Sequence, residues 1–311
     1  MKNILHSLYT LIAITAMATV LTSCTDKIDI STDTGTSQIN VDASLYSHIS
    51  TQTIYLSKTA GTFNQGLNPA LSGVVVTVTD NIGNTYNFNE TNKGTYVATG
   101  FQPVVGRTYN LSFKVGAFTY SATSTVPRLP QMDSLAWKPK ENNGFGKKDG
   151  GYEVDLGVKD PVGLGDNYRL KIWHYGLPAI NDSITQTNDI DVINDSDINW
   201  DGLKFIYPIS SDINFFTYQP NRNFAATSTR PGYNGPDSLK LWIMTMDKPA
   251  YDFLNDAATE RTNGGLFASP PYNVHCNIKG GDGAVQNTAI GSFIVYGVRE
   301  VHAICPVNVK F

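Results

Sequence analysis

The sequence predicts a mainly β fold, with two β-sandwich-like (immunoglobulin-like) domains and one short helix in the second. Short runs rich in β-branched and aromatic residues recur about every 8 to 12 residues, between turns that contain Gly, Asn, Asp or Pro. Only five of the 27 acidic residues are Glu, and Asp favours turns whereas Glu favours helices. A single segment carries the capping and spacing signals of a helix.

The N-terminus has the pattern of an export signal. Lys2 is followed by a mostly apolar run to Leu21 that contains no acidic residue. The run ends in LTSC, residues 21–24, which is similar to a bacterial lipobox: a branched apolar residue, two small residues and a cysteine that receives lipid. We therefore expect residues 1–23 to be a signal peptide and Cys24 to carry acyl chains, two or more of which anchor a protein stably. An ordinary signal peptide with a chance cysteine is the alternative.

The predicted first domain covers residues 39–128 and follows a flexible tether at residues 24–38, where apolar groups are few. Its expected strands include INVDASLY, QTIYLSKTA and SGVVVTVTD, and a hairpin is expected in GRTYNLSFKVGAFTYSATSTVP. Pro127 and Pro130 mark the end of this domain, because proline cannot continue a strand ladder.

The predicted second domain covers residues 129–311. Its expected strands include YEVDLGVKD, NYRLKIWHYG, LKFIYPI, DSLKLWIMTMD and IGSFIVYGVREVHAI. We expect a helix at about residues 248–262, because Asp247 can cap its start, Pro249 lies in its first turn and Gly264 follows its end.

The remaining cysteines predict one disulfide. With Cys24 occupied by lipid, an exported chain retains Cys276 and Cys305 in a compartment that permits disulfides. We expect these two residues to pair. Two buried free thiols are the alternative.

The segment NDIDVINDSDINWDG, residues 188–202, is the densest run of oxygen ligands in the chain. Calcium takes roughly six to eight oxygen ligands, and the candidate calcium ligands here are Asp189, Asp191, Asp195, Asp197 and Asp201. The segment is not an EF-hand, because the sixth position from Asp195 is Trp200 instead of Gly. The alternative is a strand with a hydrated face that ends in an Asp–Gly turn.

The sequence gives no sign of catalysis. It contains no G-x-S-x-G, H-E-x-x-H or C-x-x-C motif and no phosphate-binding loop. His275 and Cys276 are adjacent, but a disulfide-bonded cysteine is not a nucleophile, and neighbours in a strand point to opposite faces. We therefore expect no enzymatic activity and no cofactor.

The net charge and the aromatic residues limit the classes of ligand that the protein could bind. A net charge of −4 argues against binding to nucleic acid. Four tryptophans could stack on a ligand, although such side chains more often fill cores, as expected for Trp242 between two apolar neighbours. They are Trp137, Trp173, Trp200 and Trp242.

Several of these motifs together resemble a Bacteroidetes outer-membrane lipoprotein family, the domain of unknown function 4249. They are the lipobox, IYLSKTA, SGVVVTVTDNIGNTYNF, GRTYNLSFKVGAFTYSATSTVP, MDSLAW, VKDPVGLGDNYRL, DINWDGLKF and PPYNVHCNIKGGDGA, in the family's order. The resemblance implies a non-catalytic accessory protein that is anchored to the outer membrane through Cys24 and exposed at the cell surface. It also implies a TonB-dependent transporter in nutrient uptake as the partner, bound through loops at the ends of a rigid sandwich. A surface adhesin or glycan-binding module is the alternative function, and a hydrolase the least favoured.

Replacement of Cys24 tests the predicted anchor. We expect Cys24→Ala to move the protein from membranes to the soluble fraction, because the acyl chains supply the apolar contact with the bilayer. Fractionation followed by immunoblotting measures the change. Retention of the variant in membranes would contradict lipid anchoring at Cys24.

Overall fold

The computed structural model describes residues 36–60, 68–139, 152–174, 187–190, 204–208, 238–263, 270 and 274–304. These residues form fifteen β-strands, one α-helix (α1, Lys248–Thr262) and a 3₁₀ turn at Val285–Asn287. The mainly β class is confirmed, and so is the helix expected at about residues 248–262. The described residues contain no helix long and apolar enough to cross a membrane.

Six of the first seven strands alternate buried side chains with more exposed ones, as half-buried strands do. The exception is the fourth, Thr85–Asn92, in which only Phe88 is buried. β1 to β7 are Ile39–Tyr46, Thr51–Lys58, Val75–Asp80, Thr85–Asn92, Thr95–Thr99, Thr108–Val115 and Phe118–Thr125. β8 to β15 are Gln131–Pro139, Tyr152–Lys159, Asn167–His174, Thr187–Ile190, Lys204–Pro208, Ser238–Met246, Lys279–Gly280 and Ala289–Ile304.

Twelve of these strands form one large curled sheet. Their order is β11-β10-β13-β15-β1-β2-β5-β4-β3-β6-β7-β14, and β12-β9-β8 form a separate three-stranded sheet. Neighbouring described strands are antiparallel except for β1 and β15, which are parallel. The sheet curls far enough for β7 to contact β15, where the backbone N–H of Val295 donates to Ser124 Oγ at 3.0 Å.

β15 joins the N-terminal and C-terminal parts of the sheet. Its first eight residues, Ala289–Tyr296, pair with β1, and its last eight, Gly297–Ile304, pair with β13. β1 lies before the boundary predicted at residue 128, whereas β13 and β15 lie after it. Two separate immunoglobulin-like sandwiches are therefore not confirmed, because a single strand belongs to both parts.

Both faces of β15 are buried, in two different clusters. Phe293 and Val295 point into the main core, which β1 to β7 line. Alternation places Ile294, Tyr296 and Val298 on the opposite face, and they pack there with methionines of β13 and with α1. The strand thus stabilises the two clusters together.

Side chains cover the edge of β15 that β1 leaves open. Asn277 Oδ1 accepts from the N–H of Phe293 at 2.9 Å, and Asn277 Nδ2 donates to the carbonyl of Phe293 at 2.7 Å. The carboxamide thereby supplies the donor and the acceptor that a neighbouring strand would offer.

α1 is attached to the end of β7 through its N-cap. Asp247 accepts from the backbone N–H of Ala250 at 3.2 Å and from that of Thr125 at 2.8 Å. Burial raises the pKa of Asp247, and these hydrogen bonds oppose the rise. The carboxyl group therefore fixes the helix to the sheet at a point where the two parts meet.

Gly297 lies where β15 changes its pairing partner from β1 to β13. Its replacement tests how closely the two parts of the sheet are packed there. An added Cβ would lie 2.5 Å from Thr245 Oγ1 and 3.1 Å from the carbonyl of Pro127. We expect Gly297→Ala to lower the free energy of unfolding by about 1–3 kcal/mol through overpacking. Thermal or urea unfolding measures the loss.

The double variant Gly297→Ala, Thr245→Ala is the matched control. It removes the closest clash, so its loss should be smaller than the sum of the two single losses. A Gly297→Ala variant as stable as the parent would contradict close packing at this junction.

Candidate binding surface at the loop end of the sheet

Four connections lie together at one end of the curled sheet. β1, β3, β5 and β7 run in the same direction because each alternates with antiparallel partners, so the segments that follow them meet at one end. We call this surface the loop end. It consists of residues 47–50, 81–84, 100–107 and 126–128, together with the attached β9–β10 loop at 160–166.

The β1–β2 loop is shaped from beneath by Gln52, a buried amide only 1 % exposed. Its Oε1 accepts from the N–H of Tyr46 at 2.9 Å. Its Nε2 lies within hydrogen-bond distance of three carbonyls, those of Tyr46 at 2.9 Å, Ile49 at 2.6 Å and Phe101 at 3.3 Å. One side chain therefore satisfies backbone groups of two loops, which fixes both in place.

The β3–β4 loop is organised by the carboxylate of Asp80, whose side chain is fully buried. It accepts from the N–H groups of Ile82 at 3.2 Å and Asn84 at 2.8 Å, and from Arg107 Nη1 at 3.0 Å. Burial alone would raise the pKa of Asp80, but the hydrogen bonds from Asn84 and Ile82 and the charge of Arg107 outweigh it and lower the pKa. The ionised group thus ties the β3–β4 loop to the β5–β6 loop.

The β5–β6 loop is held over an aromatic core. Phe101 is fully buried and stacks on Tyr86 with ring centroids 3.8 Å apart. Tyr109 Oη accepts from the N–H of Val104 at 2.8 Å, and the N–H of Gly106 donates to the carbonyl of Val126 at 2.8 Å. Gly106 has a φ of 84°, a conformation that other residues rarely adopt.

Arg128 attaches the β9–β10 loop to the rest of the loop end. Its guanidinium donates to the carboxylate of Asp166, with Nε 3.0 Å from both oxygens, and to the carbonyl of Val162. The pKa of Arg128 is raised, chiefly by this hydrogen bonding to Asp166. Both arginines of the surface, Arg107 and Arg128, are thus neutralised by carboxylates.

Exposed aliphatic side chains project from these fixed loops. Their exposed fractions run from 38 % for Ile49 to 79 % for Val162, and the set is Ile49, Ile82, Val104, Val105, Val162 and Leu164. Burial of these aliphatic groups against a partner is favourable. Because both nearby arginines are already paired with carboxylates, their burial leaves no unpaired charge. The arrangement suits binding of a macromolecule, and it holds no set of groups arranged for acid–base chemistry.

The calcium prediction lies mostly outside the described residues. The backbone of Asp189 is in β11, opposite Lys171. Asp191, Asp195, Asp197 and Asp201 fall outside the described residues, as do the lipidation site Cys24 and residues 25–35 of the predicted tether. The described end of that tether is attached to the sheet, because Ser37 Oγ donates to the carbonyl of Thr59 at 2.9 Å. The described residues hold no group of three or more His, Cys, Asp or Glu that could bind a metal. Calcium binding and lipidation stay predictions.

The expected disulfide between Cys276 and Cys305 is not found, and Cys276 is a free, half-buried thiol. Its Sγ lies 3.5 Å from the carbonyl of Ala289 at the start of β15. Cys305 itself is outside the described residues, but Ile304, which precedes it, ends β15. Roughly 50 Å of strand separates Ala289 from Ile304, whereas the Cα atoms of a disulfide lie within about 7 Å of each other.

His275 and Cys276 line the same groove, of about 740 Å³ between β7 and α1. The expectation that they point to opposite faces fails because residues 274–278 are not in a strand. His275 Nδ1 lies 2.6 Å from Asp256 Oδ2, and the thiol hydrogen-bonds to a backbone carbonyl. This geometry gives no evidence for a thiolate–histidine pair.

Trp242 is half-buried and packs against the edge of the second core cluster, whereas its neighbours Leu241 and Ile243 are fully buried. Its half-buried indole faces Tyr46 and His48, with centroid distances of 5.4 Å and 4.4 Å. The side chains of Trp137, Trp173 and Trp200 lie outside the described part of the chain.

Comparison with known families gives one result. The family model described as Domain of unknown function (DUF4249) matches residues 25–301. No curated protein matches the sequence.

Gln52 and Asp80 organise the loop end through their hydrogen bonds to its backbone. Neither residue was predicted from the sequence. Asp80 had a local signal, because Asp–Asn–Ile–Gly–Asn is a pattern in which an aspartate caps its own turn. Gln52 had none: its partners at Tyr46 and Ile49 match no turn motif, and its partner at Phe101 is 49 residues away.

Replacement of the Gln52 amide tests whether it shapes the loop end. We expect Gln52→Glu to lower the free energy of unfolding by more than about 2 kcal/mol, because a buried carboxylate would face three carbonyl oxygens. Gln102→Glu is the matched control, since exposed Gln102 donates only to the carbonyl of Ser47, and its effect should stay within about 0.5 kcal/mol. Equal losses in urea unfolding would contradict the role of Gln52.

Proposed function

Since the chain belongs to the DUF4249 family, we propose that it is a lipid-anchored outer-membrane accessory protein, without catalytic activity, that binds a TonB-dependent transporter through its loop end and assists nutrient uptake. The single observation that carries the binding role is the set of exposed aliphatic side chains on the loop end. The lipobox-like LTSC motif supports the anchor, and the resemblance to the lipoprotein family supports the partner.

Loop rigidity supports recognition by shape. Buried Gln52 and Asp80 fix the loops before any partner arrives, so little conformational entropy is lost on association. Fixed loops on a sheet scaffold are a common way for proteins to present a binding surface. A transporter would meet a preformed apolar patch with a polar rim.

The path of the chain from the tether along β1 supports contact between the loop end and a partner in the membrane. The tether enters at Ile39, and β1 then carries the chain roughly 25 Å to the loop at residues 47–50. Because Ser37 and Gln38 hydrogen-bond to Thr59, the free part of the predicted tether is residues 24–36, which can extend up to roughly 45 Å. The loop end can therefore turn toward a transporter in the same membrane.

One observation favours the alternative of a glycan-binding module. The half-buried indole of Trp242 lies beside Tyr46, and its Nε1 donates to Glu300 Oε2 at 2.5 Å. Aromatic faces beside carboxylates bind sugar rings in many proteins. A specific hit on a glycan array that Trp242→Ala removes would favour this function over transporter binding.

Charge substitutions at the loop end test the proposal. We expect Ile82→Glu, Val104→Glu in a tagged full-length chain to reduce recovery of a TonB-dependent transporter from solubilised outer membranes at least about tenfold, because buried carboxylates would oppose association. Val75→Glu is the matched control: Val75 is 75 % exposed but begins β3, at the opposite end of the sheet. Mass spectrometry of the recovered proteins measures the change.

Two outcomes would contradict the proposal. No transporter recovered above background with the parent chain would exclude the partner. Equal recovery with the loop-end variant and Val75→Glu would exclude the loop end as the binding surface.

A further inference from the structure

His48 lies in the β1–β2 loop, directly before the exposed Ile49. Its side chain is 15 % exposed and sits against Trp242, with ring centroids 4.4 Å apart in an edge-on arrangement, and 6.2 Å from Tyr46. Within the described part of the chain, neither ring nitrogen has a hydrogen-bond partner, although both are buried. A buried imidazole without partners is stable there only in its neutral form, because the charged form would lose its hydration.

The groups around His48 do not offset that loss. The nearest acidic group is Glu300 of β15, 3.8 Å from His48 Nε2, but its carboxylate already accepts from Trp242 Nε1 and lies 2.8 Å from His302 Nε2. Lys240 of β13 places its ammonium group 5.4 Å from the centroid of the Trp242 ring. Lys240 therefore adds a positive charge beside the same indole that a protonated His48 would contact.

The loop that carries His48 bridges the two parts of the sheet. The N–H of Ser47 donates to the carbonyl of Tyr296 at 3.0 Å, and Ser47 Oγ accepts from the N–H of Val298 at 2.8 Å. On the other side, the carbonyl of Ser50 accepts from the N–H of Phe101 at 3.0 Å. Displacement of the His48 ring would thus pull on Ile49 against the hydrogen bond that Gln52 Nε2 donates to the Ile49 carbonyl.

We infer that His48 is a proton-sensitive anchor: its neutral ring holds the β1–β2 loop against Trp242, and protonation releases the loop and alters the surface that carries Ile49. The inference rests on the proposed function only in assigning a partner to that surface.

The direction of the pH effect follows from the environment of the ring. Burial lowers the pKa of His48 below its ordinary value of 6.5; Glu300 opposes this and Lys240 adds to it. A histidine with a depressed pKa binds fewer protons when folded than when unfolded, so its contribution to stability is complete above pH 6.5 and is lost as the pH falls through the folded-state pKa. Acidification therefore opens the loop.

Hydrogen-exchange mass spectrometry of the Cys24→Ala full chain at pH 7.5 and pH 5.0 tests this. We expect the protection factors of a peptide covering residues 46–52, corrected for intrinsic exchange, to fall on the order of tenfold at pH 5.0. His48→Phe should keep the protection seen at pH 7.5 and lose the pH dependence. His302→Phe, which removes an exposed histidine from the same carboxylate, should retain the pH dependence.

The following results would overturn the inference: protection that is equal at the two pH values in the parent chain, or pH-dependent protection that persists in His48→Phe. Should His48→Phe fail to fold, His48→Gln supplies a second side chain that does not titrate, and the same criteria apply. Transporter recovery measured at both pH values separates the two proposals: absence of a transporter at pH 7.5 as well as at pH 5.0 contradicts the partner and leaves the loop result standing.

Discussion

The pairing of β15 with β1 on one side and β13 on the other is the constraint on which the rest of the fold depends. The strand divides its sixteen residues equally between the two partners, and its alternating side chains enter two separate clusters. Because β1 and β15 stand at opposite ends of the described chain, the N-terminal strands cannot complete their core until the last strand has been added. Stability of the two parts is therefore shared, and Gly297 marks the residue where the partner changes.

Buried and half-buried polar side chains satisfy backbone groups at the places where this curled sheet has no neighbouring strand. Asn277 and Ser124 cover the open edge of β15, whereas Gln52 and Asp80 satisfy the backbone of the loops. Each of these groups is costly to bury unless all its hydrogen bonds form. The need to complete these hydrogen bonds stabilises the sheet and also makes the loops of the proposed binding surface rigid.

Local patterns in the sequence were sufficient to predict the β class, most strands and the helix at residues 248–262, since alternation and capping act over a few residues. The separation into two sandwiches was not confirmed, because the parallel pairing of β1 with β15 joins residues about 250 positions apart and leaves no local signal. The Cys276–Cys305 disulfide is not shown either: Cys276 is a free thiol in the described part of the chain, and an even number of cysteines carries no information about the distance between them. His48 drew no attention in the sequence, because its environment comes from β13 and β15.

Hydrogen exchange in increasing denaturant tests the shared stability of the two parts most directly. Peptides from β1 (Ile39–Tyr46) and β13 (Ser238–Met246) should exchange through one opening reaction, with the same free energy and the same dependence on denaturant concentration. If β13 opens at a lower free energy while β1 remains protected, the two parts are independent, and β15 does not unite them.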